Sequence, residues 1–461
     1  MSLVNTILLQ KCEGFIEQII SFFTNKNVRA IEEMEITLKE HTNNFILDII
    51  STYLEVIDTA IVEDKVSRKN QGIVIERKND KRELHTVFGQ LHFRRTYFYD
   101  KRHQEYTYLL DKVVGLEKHD RLSGTVVANL IEHASQYSYA KSSKNVTNGL
   151  ISRQTVMRKV RALNDLKIEN NTEKHVVKEL HIDADEDHVA LQDGNNAIVP
   201  LISIYEGVER HGKRGKCINI HHISSYGKKS EELWLEAANW IYDNYEIDTI
   251  ENIYLHGDGA LWIKEGLNWI PKVKFVLDKY HLNKAILQAT GSQPEKRQEI
   301  YIAIRNGDDN SFKIIIKELL KASASEKESK RIKDFKRYIL NNWQGIKIYT
   351  EEECGGSGTE GHISHVLSAR LSSRPMGWSR EGLRVMSELR AYSSNGGKIK
   401  LKHLKTGLKP TYKLGKAIKS KISKGFLGVQ EQFNNVTVLN KGKVIPMFPC
   451  LKGLQNGSID F

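Results

Sequence analysis

The segment from about residue 176 to residue 291 alternates between strand-like and helix-like patterns in an order that few folds accommodate. Three runs rich in β-branched and aromatic residues come first: HVVKELHIDADEDHVALQ, AIVPLISIYEGVER and KCINIHHISSYGKK. A helical run (SEELWLEAANWIYDNY), a strand (IENIYLHGDGA), a second helix near LWIKEGLNWI and a last strand (KVKFVLDKYH) follow. Because turn residues separate these runs, they predict three meandering strands and then a helix–strand–helix–strand unit.

This order is typical of an RNase H-like fold, and we predict an α/β catalytic core of that fold. A highly charged helical stretch interrupts it before the core resumes. With 461 residues the chain is too long for one ordinary core, so further domains are expected. The predicted organisation is an N-terminal helical region (1–70), a small β region (71–116), a helix-turn-helix region (117–170), the first part of the core (176–291), a helical insertion (292–345), the last part of the core (346–395) and a basic tail (396–461).

The segment SYAKSSKNVTNGLISRQTVMRKVRALN predicts a helix-turn-helix. A short helix ends at the break Thr147-Asn148-Gly149, and Ser152 is placed to cap a second helix. If this second helix enters the major groove of DNA, its exposed side chains contact bases and phosphates. An ordinary helical hairpin packed onto the core gives the same pattern and is the alternative. The residues predicted to contact DNA here are Arg153, Gln154, Arg158 and Arg161.

Positive charge is concentrated near the C-terminus. The chain has 69 Lys and Arg against 57 Asp and Glu, a net charge of +12, which favours a polyanionic partner. Between Lys398 and Lys424 there are ten lysines and no acid, more than a solvated face requires. A tail that only aids solubility is the competing interpretation. The further DNA-binding candidates are Lys413, Lys416, Lys419 and Lys421 in this tail, Arg370 and Arg374, and the pair Arg94 and Arg95.

The pair Arg94 and Arg95 precedes the aromatic residues of RRTYFYD in a strand-like run. Basic and aromatic side chains together suit contacts with a nucleic-acid backbone. Aromatic alternation is also typical of the buried face of a strand, and that interpretation stays open.

Acidic residues at two predicted strands fit metal-dependent chemistry on this core. Cleavage and transfer of DNA strands by an RNase H-like domain use two divalent cations, held by carboxylates that are far apart in sequence. Asp258 lies between two glycines at the end of a strand pattern, where bare backbone leaves room for a metal ion and a phosphate, although Asp-Gly is also common in plain turns. The run HIDADED places Asp183, Asp185 and Asp187 on one strand face. Periodicity does not choose among them, and a solvated strand end or a calcium site is the alternative.

The third acid and one further pair lie at predicted helix starts and strand ends. Glu360 follows a Gly-rich loop and stands on the first turn of a helix predicted through Leu371, where a carboxylate also suits the helix dipole. Asp278 and His281 are three residues apart at the end of the last strand. Such a pair can orient the ligands of a metal site, as can a turn aspartate beside a packed histidine.

The stretch GTEGHISHVLSARLSSRPMGWS, with YLHGDGALWIKEG, FVLDKYHLNKAI and IDADEDHVALQ, resembles the ISLre family of bacterial insertion-sequence transposases, distant relatives of the Mutator-like group. The resemblance covers nearly the whole chain, and SSRPMGWS is its most specific part. It implies a DDE transposase that uses two Mg²⁺ or Mn²⁺ ions. On this resemblance Asp185, Asp258 and Glu360 are the catalytic and metal-binding acids, and the residues that orient them are Asp183, Asp278 and His281.

The implied function is binding of the element's terminal inverted repeats, followed by metal-dependent DNA strand cleavage and strand transfer, by a homo-oligomer that holds two DNA ends. A catalytically silent DNA-binding regulator derived from a transposase and a structure-selective nuclease of the same fold are the competing hypotheses. The intact set of acids argues against the regulator, and inverted repeats flanking the gene would separate the transposase from the nuclease.

The sequence also predicts where such a protein works. Its four cysteines are far apart, with no CxxC pair, so neither a zinc ribbon nor a disulfide framework is expected, and a reducing compartment fits. The N-terminal stretch lacks the pattern of a secretory signal, and no run reaches the roughly 18 to 20 apolar residues that cross a bilayer. We therefore expect a cytoplasmic protein associated with the bacterial nucleoid and without a membrane partner.

Overall fold

The computed structural model describes residues 3–25, 29–164, 166–168, 173–212, 214–291, 293–352, 354, 357–374 and 376–404. These residues fall into two compact units, divided between Ala128 and Asn129. No helix in the described ranges is long and apolar enough to cross a membrane. The four tail lysines predicted to bind DNA, Lys413, Lys416, Lys419 and Lys421, lie outside the described residues.

The first unit packs helices against a small antiparallel sheet. Strand β1 pairs with β2, and β2 with β3, around a core that includes Ile57, Ile61 and Phe98. The hairpin between β1 and β2 turns at Gly89, whose φ of 129° disfavours a residue with a Cβ. The elements are α1 (Leu3–Thr24), α2 (Ile31–Glu63), α3 (Lys65–Gln71), β1 (Ile73–Thr86), β2 (Gly89–Asp100), β3 (Glu105–Thr107) and α4 (Leu109–Val114).

The predicted third strand of this β region, EYTYLLDKVVGL, is only partly a strand. Its first residues form β3, and residues 109–114 form helix α4, whose Leu109 and Leu110 are buried. The strand prediction was wrong there because short apolar runs do not distinguish a buried strand from a buried helical turn.

Three helices precede the central sheet: α5 (Gly124–Gln136), α6 (Tyr139–Thr147) and α7 (Arg153–Arg161). The predicted break between α6 and α7 is confirmed, because Asn148 and Gly149 both have positive φ. Ser152 caps α7, as predicted, by accepting a hydrogen bond from the backbone N–H of Thr155. Val156 and Val160 bury the inner face of α7.

The central sheet of the second unit has five strands in the order β10-β9-β4-β5-β8. Strands β4, β9 and β10 run parallel, whereas β5 is antiparallel to both β4 and β8. A separate hairpin, β6–β7, leaves this sheet. The strands are β4 (Glu179–Ala190), β5 (Asn196–Tyr205), β6 (Gly207–His211), β7 (Arg214–Ile218), β8 (His221–Ile223), β9 (Asn252–Gly257) and β10 (Val273–Leu277).

Two details of the predicted order change. The third strand run, KCINIHHISSYGKK, contributes residues to β7 and to β8, which belong to different sheets. The helix predicted near LWIKEGLNWI is two short helices, because Glu265 separates them. The helices beside the first part of the sheet are α8 (Ser230–Asn244), α9 (Leu261–Lys264), α10 (Gly266–Trp269) and α11 (Lys279–Thr290), with a 3₁₀ turn at Ile247–Thr249.

The charged stretch predicted as an insertion is helical, but it does not form a separate body. Its buried residues, among them Ile300, Phe312 and Ile339, belong to the same hydrophobic core as the sheet residues Leu180 and Leu255. The last of its helices crosses the predicted boundary at residue 345. The helices are α12 (Pro294–Arg305), α13 (Asp309–Ala322), α14 (Glu326–Asn341) and α15 (Trp343–Glu351).

After this helical segment the chain returns to the sheet. A helix that carries Glu360 in its first turn begins at Thr359, passes through a π-helical stretch and ends at Leu371, the end predicted from the sequence. π-helical turns are rare and are frequently found at functional sites. The elements are α16 (Thr359–His362), the π-helical stretch Ile363–Ser368, α17 (Ala369–Leu371), α18 (Arg380–Ser394) and α19 (Leu401–Leu404).

Candidate metal centre

The three parallel strands bring their carboxyl ends to one edge of the sheet. The pairing of β4 with β9 ends at Asp183, which lies opposite His256. Beyond that point β4 continues through Asp185 without pairing to β9. Asp258 follows the last residue of β9, and Asp278 follows the last residue of β10. The backbone N–H of Asp278 donates to the carbonyl of Gly257, which ties the two strand ends together. Acidic residues that are far apart in sequence therefore meet at this edge.

Among the described residues, Asp185, His281 and Glu360 form a group able to hold one metal ion. One potential ligand atom from each lies within 4.8 Å of the other two. In octahedral coordination with bonds of about 2.1 Å, neighbouring ligand atoms are about 3 Å apart and opposite ones about 4.2 Å apart. The group is thus slightly wider than a filled site, and small side-chain rotations suffice to close it. Two carboxylates and an imidazole are donors that divalent ions accept.

The second predicted acid, Asp258, is not a member of this group in the described part of the chain. Its Oδ1 accepts a hydrogen bond of 2.8 Å from the backbone N–H of Ala260, which holds it in the turn after β9. It is close enough that its charge raises the pKa of both Asp185 and His281. The prediction was that three acids converge. In the structure Asp185 and Glu360 form a group with His281, and Asp258 lies beside this group.

Glycine is required on both sides of Asp258 for a different reason from the predicted one. A Cβ on Gly257 would lie 2.8 Å from the Ile263 side chain and 3.1 Å from the carbonyl oxygen of Ala184. Gly259 has φ of +91°, and a Cβ there would lie 2.5 Å from Asn342 Oδ1. Close packing and turn geometry, rather than room for a ligand, thus require glycine at both positions.

The electrostatics of the site favour a bound cation. Burial raises the pKa of Asp185 to about 6, and the negative charges of Asp258 and Glu360 add to the rise, against a hydrogen bond from the backbone N–H of Glu186 and the charge of His281. The hydrogen bond to Asp278 raises the pKa of His281 despite its partial burial. Ionised Asp185 is repelled by the negative charges of Asp258 and Glu360, and a divalent cation relieves such repulsion.

The three aspartates of β4 lie on one face, as predicted, but have different partners. Asp183 is 2% exposed. Its Oδ2 accepts a 2.8 Å hydrogen bond from the backbone N–H of Gly358, and its Oδ1 accepts one of 3.2 Å from the Tyr205 hydroxyl. His362 Nδ1 lies 3.2 Å from the same Oδ2. Asp183 therefore fixes the residues on either side of Glu360 to β4.

Asp187 is bound in a similar way further along the same strand. Both of its carboxylate oxygens accept from the hydroxyl of Ser372, at 2.8 and 2.9 Å. Because Asp183 and Asp187 are both buried against the segment that carries Glu360, only Asp185 is left to face His281 and Glu360. The geometry thus favours Asp185 over its two neighbours as a metal ligand.

A second buried carboxylate, Asp278, holds the same segment from β10. It accepts hydrogen bonds from the backbone N–H and from Nδ1 of His281, at 3.2 and 2.9 Å, and it accepts from the hydroxyl of Ser357. Burial acts to raise the pKa of Asp278, but the hydrogen bonds from His281 and Ser357 outweigh it and lower the pKa. Asp183 and Asp278 therefore hold the Ser357–Gly358 segment and His281 beside the strand ends, and their role in orienting metal ligands stays a prediction.

The predicted DNA-binding residues of α7 separate into two kinds. Arg153, Gln154 and Arg158 are exposed. Arg161 is only partly exposed and donates a 2.5 Å hydrogen bond to the hydroxyl of Ser379, the N-cap of α18. Arg161 therefore joins α7 to the helix that follows the metal centre, and the prediction that it contacts phosphates does not fit this geometry.

The arginines predicted in the first unit also differ from each other. Arg94 is exposed, whereas Arg95 is 6% exposed. Arg95 forms an ion pair with the buried Asp111, and its guanidinium lies 3.4 Å from the ring centroid of Tyr108. The prediction that Arg95 binds DNA was wrong, because alternation along β2 turns its side chain into the unit while Arg94 points outward.

Arg370 is likewise buried, at 5% exposure. It donates to the carbonyl of Ala134 and lies over the ring of Trp378. The prediction that Arg370 binds DNA was therefore wrong, whereas Arg374 is exposed. For His281, the signal in the sequence was Asp278 three residues before it, a spacing that lets a carboxylate orient an imidazole.

A model of the uncharacterised protein family UPF0236 matches residues 24–406. A UPF0236 protein of Caldanaerobacter subterraneus subsp. tengcongensis is 43% identical over 465 residues, which cover 98% of this chain and 93% of the relative. A second relative from this organism is 43% identical over 464 residues, 98% of either chain, and its name joins eleven locus designations. A UPF0236 protein in the vanSb 3′ region of Streptococcus gallolyticus is 24% identical over 391 residues, 80% of this chain and 84% of the relative.

Proposed function

The chain belongs to the UPF0236 family, and we propose that it is a DDE-type transposase of a bacterial insertion sequence. In this proposal it binds the terminal inverted repeats of its element and catalyses metal-dependent DNA strand cleavage and strand transfer. The observation that carries the proposal is the meeting of Asp185, Glu360 and His281, with Asp258 beside them, at the carboxyl edge of three parallel strands.

The arrangement of the sheet supports an RNase H-like core. The neighbouring antiparallel strands β4, β5 and β8 lie on one side, with the β6–β7 hairpin between β5 and β8 in the chain, and β9 and β10 are added parallel to β4 on the other. Apart from this hairpin, this is the order expected from the strand and helix pattern of the sequence. The acids occupy the places that such a core needs for two-metal chemistry: within the first strand, after the fourth and at a later helix start.

The name of one relative supports a mobile element. It joins eleven locus designations within one organism. A protein that is encoded at many places in one genome is expected of an element that moves or copies itself. The resemblance of SSRPMGWS and the acidic segments to insertion-sequence transposases points to the same class.

The chain's own residues have distinct tasks in this proposal. Asp185 and Glu360 would hold one Mg²⁺ or Mn²⁺ ion and Asp258 a second, while Asp183 and Asp278 keep the segment before Glu360 against the strand ends. Metal ions bound there would activate a water, and later a DNA 3′-hydroxyl, for in-line attack and would stabilise the leaving oxygen. No covalent link between protein and DNA is needed.

Recognition of the DNA ends is assigned to other parts of the chain. The exposed Arg153 and Gln154 stand in the first turn of α7, where a helix in the major groove reaches base edges. The exposed Arg158 and the lysine-rich tail, which holds ten lysines from Lys398 to Lys424, would add contacts with phosphates. Two such chains, each holding one end, would make the synaptic homo-oligomer.

The test is strand cleavage on labelled DNA that contains both ends of the encoding element, with Mg²⁺ or Mn²⁺. Replacing Asp185, Asp258 or Glu360 by Ala should reduce cleavage by about 10³-fold or more, because a metal ion contributes several kcal/mol to the transition state. The matched control is Glu251→Gln, an exposed carboxylate at the opposite end of β9, which should cleave normally. Full cleavage by Asp258→Ala would refute the mechanism, and equal cleavage of unrelated DNA would favour the nuclease.

A further inference from the structure

We propose that His281 binds a metal ion directly through Nε2, and that Asp185, His281 and Glu360 therefore form a mixed nitrogen and oxygen site that selects Mn²⁺ over Mg²⁺. The inference rests on the proposed function only in assuming that a divalent ion works at this edge of the sheet. It goes further by naming the ligand set and the class of ion. It also assigns Asp258 to a second ion rather than to this one.

The first support is position. His281 is the residue that completes the group of three at the strand ends, although Asp258 is the acid that a three-carboxylate site would use. Asp258 is held in its own turn by the backbone N–H of Ala260. His281 therefore takes the place beside Asp185 and Glu360 that the second acid was predicted to occupy.

The second support is the orientation of the imidazole. Nδ1 of His281 lies 2.9 Å from Oδ2 of Asp278, a carboxylate that is 2% exposed. Metal-binding histidines usually donate their other ring N–H to a carboxylate or a carbonyl, which fixes the tautomer and the ring orientation. With Nδ1–H bound to Asp278, the lone pair of Nε2 is directed away from Asp278 and is left for a metal ion.

The third support is that the protein's own buried hydrogen bonds hold this orientation. Asp278 caps α11 by accepting the backbone N–H of His281, and it also accepts from the Ser357 hydroxyl. The carboxylate that orients His281 is thus the one that anchors the loop before Glu360. Two of the three ligands are positioned by a single buried aspartate, which lowers the cost of ordering the site when the ion arrives.

The nitrogen donor determines which ion fits. Mg²⁺ prefers oxygen ligands at 2.0–2.1 Å in near-ideal octahedral geometry and usually keeps several waters. Imidazole favours first-row transition ions, while carboxylates and water suit Mn²⁺. A site with two carboxylates and one imidazole therefore suits Mn²⁺ better than Mg²⁺. The competing role for His281 is a contact with a DNA phosphate, which requires no bond to the metal.

The decisive measurement uses the full-length, DNA-free protein with Mn²⁺ as the probe. Electron spin echo envelope modulation of the bound Mn²⁺ should show coupling to a directly bonded ¹⁴N nucleus in the unsubstituted protein. His281→Gln should remove this coupling and weaken Mn²⁺ binding by about 10-fold or more, with a smaller effect on Mg²⁺. The matched control is His188→Gln, an exposed histidine on the opposite face of β4, which should leave the coupling and the affinity unchanged.

The outcomes separate this inference from the proposed function. Bound Mn²⁺ without ¹⁴N coupling in the unsubstituted protein would overturn it whatever the variants do, and the transposase proposal would stand if cleavage of element ends persisted. The inference would also be overturned if His281→Gln bound Mn²⁺ with the same affinity as the unsubstituted protein. Absence of Mn²⁺ and Mg²⁺ binding at millimolar concentration, together with absence of cleavage, would refute both.

Discussion

Two regions of this chain have charged side chains along a strand, and they differ in whether the protein itself supplies the opposite charge. In β2 the buried Arg95 is neutralised by Asp111 within the same unit. At the edge of the central sheet, Asp185 faces Glu360 and His281 with the further negative charge of Asp258 nearby, and its pKa rises to about 6. A buried charge that the protein balances internally contributes to the fold, whereas converging like charges indicate a ligand that is supplied from outside.

The largest expected effect breaks the balanced pair of the first unit. Asp111→Ala should lower the free energy of unfolding by about 3–5 kcal/mol, because it leaves the buried Arg95 guanidinium without its carboxylate partner. Urea denaturation measures the change. The double variant Arg95→Met, Asp111→Leu should recover most of the loss, since hydrophobic replacements of a buried ion pair are often neutral. Arg94→Met, at the exposed neighbour, is the control and should change stability little. If Asp111→Ala lowers the free energy of unfolding by less than about 1 kcal/mol, the Arg95–Asp111 ion pair does not stabilise the first unit as proposed.

A smaller effect is expected at Asp183, which lies beside the candidate metal centre but is hydrogen-bonded within the protein. Asp183→Asn should cost about 1.5–3 kcal/mol of unfolding free energy, because the hydrogen bonds from Gly358 and Tyr205 lose a charged acceptor. It should also weaken Mn²⁺ binding, since Glu360 is no longer fixed to β4. Asp187→Asn is the control: it loses the Ser372 contact with a similar cost in stability but a smaller effect on Mn²⁺. Equal effects of both variants on Mn²⁺ would show that Asp183 has no special role in positioning Glu360.

Helix α7 contains a similar pair: Gln154 is exposed, whereas Arg161 is bound within the protein. Gln154→Ala should reduce the preference for element ends over unrelated DNA by about 1–3 kcal/mol, the value of a bidentate base contact, and leave stability unchanged. Arg161→Ala should instead lower stability, because it loses the hydrogen bond to Ser379. Binding of both DNAs at one salt concentration and thermal unfolding measure the two effects. A Gln154→Ala variant with unaltered preference would mean that α6 and α7 are an ordinary hairpin.

The smallest expected effect is an increase in stability rather than a loss. In metal-free protein at pH 8, Asp185→Asn should raise the unfolding free energy by about 1–2 kcal/mol. The pKa of Asp185 is raised from 3.8 to about 6, so its ionised form costs stability above pH 6, and the cost disappears as pH falls toward 4. The gain of the variant should therefore vanish in acid. Chemical denaturation in EDTA at pH 8 and pH 4 measures it, and a destabilised Asp185→Asn at pH 8 would show that the site is balanced without a cation.

Much of the fold could be predicted from the sequence because it depends on local patterns. The order of strands and helices between residues 176 and 291 follows from periodicity, except for the β6–β7 hairpin and the division of one helix at Glu265. The break at Asn148 and Gly149 and the cap at Ser152 follow from turn chemistry. The face shared by Asp183, Asp185 and Asp187 follows from the two-residue repeat of a strand. Residues 109–114 were misassigned because their apolar run suits a strand and a helix equally.

The candidate site was predicted less completely, because its members are distinguished by contacts between segments that are far apart in sequence. The pattern indicated Asp258, Glu360 and the pair Asp278 and His281 as candidates but left Asp183, Asp185 and Asp187 open, and the choice of Asp185 came only from the family resemblance. Neither indicated that His281, rather than Asp258, forms a group with Asp185 and Glu360. The pattern also did not indicate which arginines are buried, because Arg370 donates a hydrogen bond to the carbonyl of Ala134 only in the folded chain.

Local sequence pattern is enough to place these side chains at the edge of the sheet, because strand alternation and the ends of parallel strands fix that placement wherever the segments form. The partner of each charge depends instead on how distant segments pack. Asp183 and Asp278 are held by the Ser357–Gly358 segment, from 79 to 175 residues further along the chain, while Asp185 between them is left facing Glu360. The pKa of a carboxylate depends on its burial and on the charges within a few ångströms of it, and both arise only when distant segments pack together.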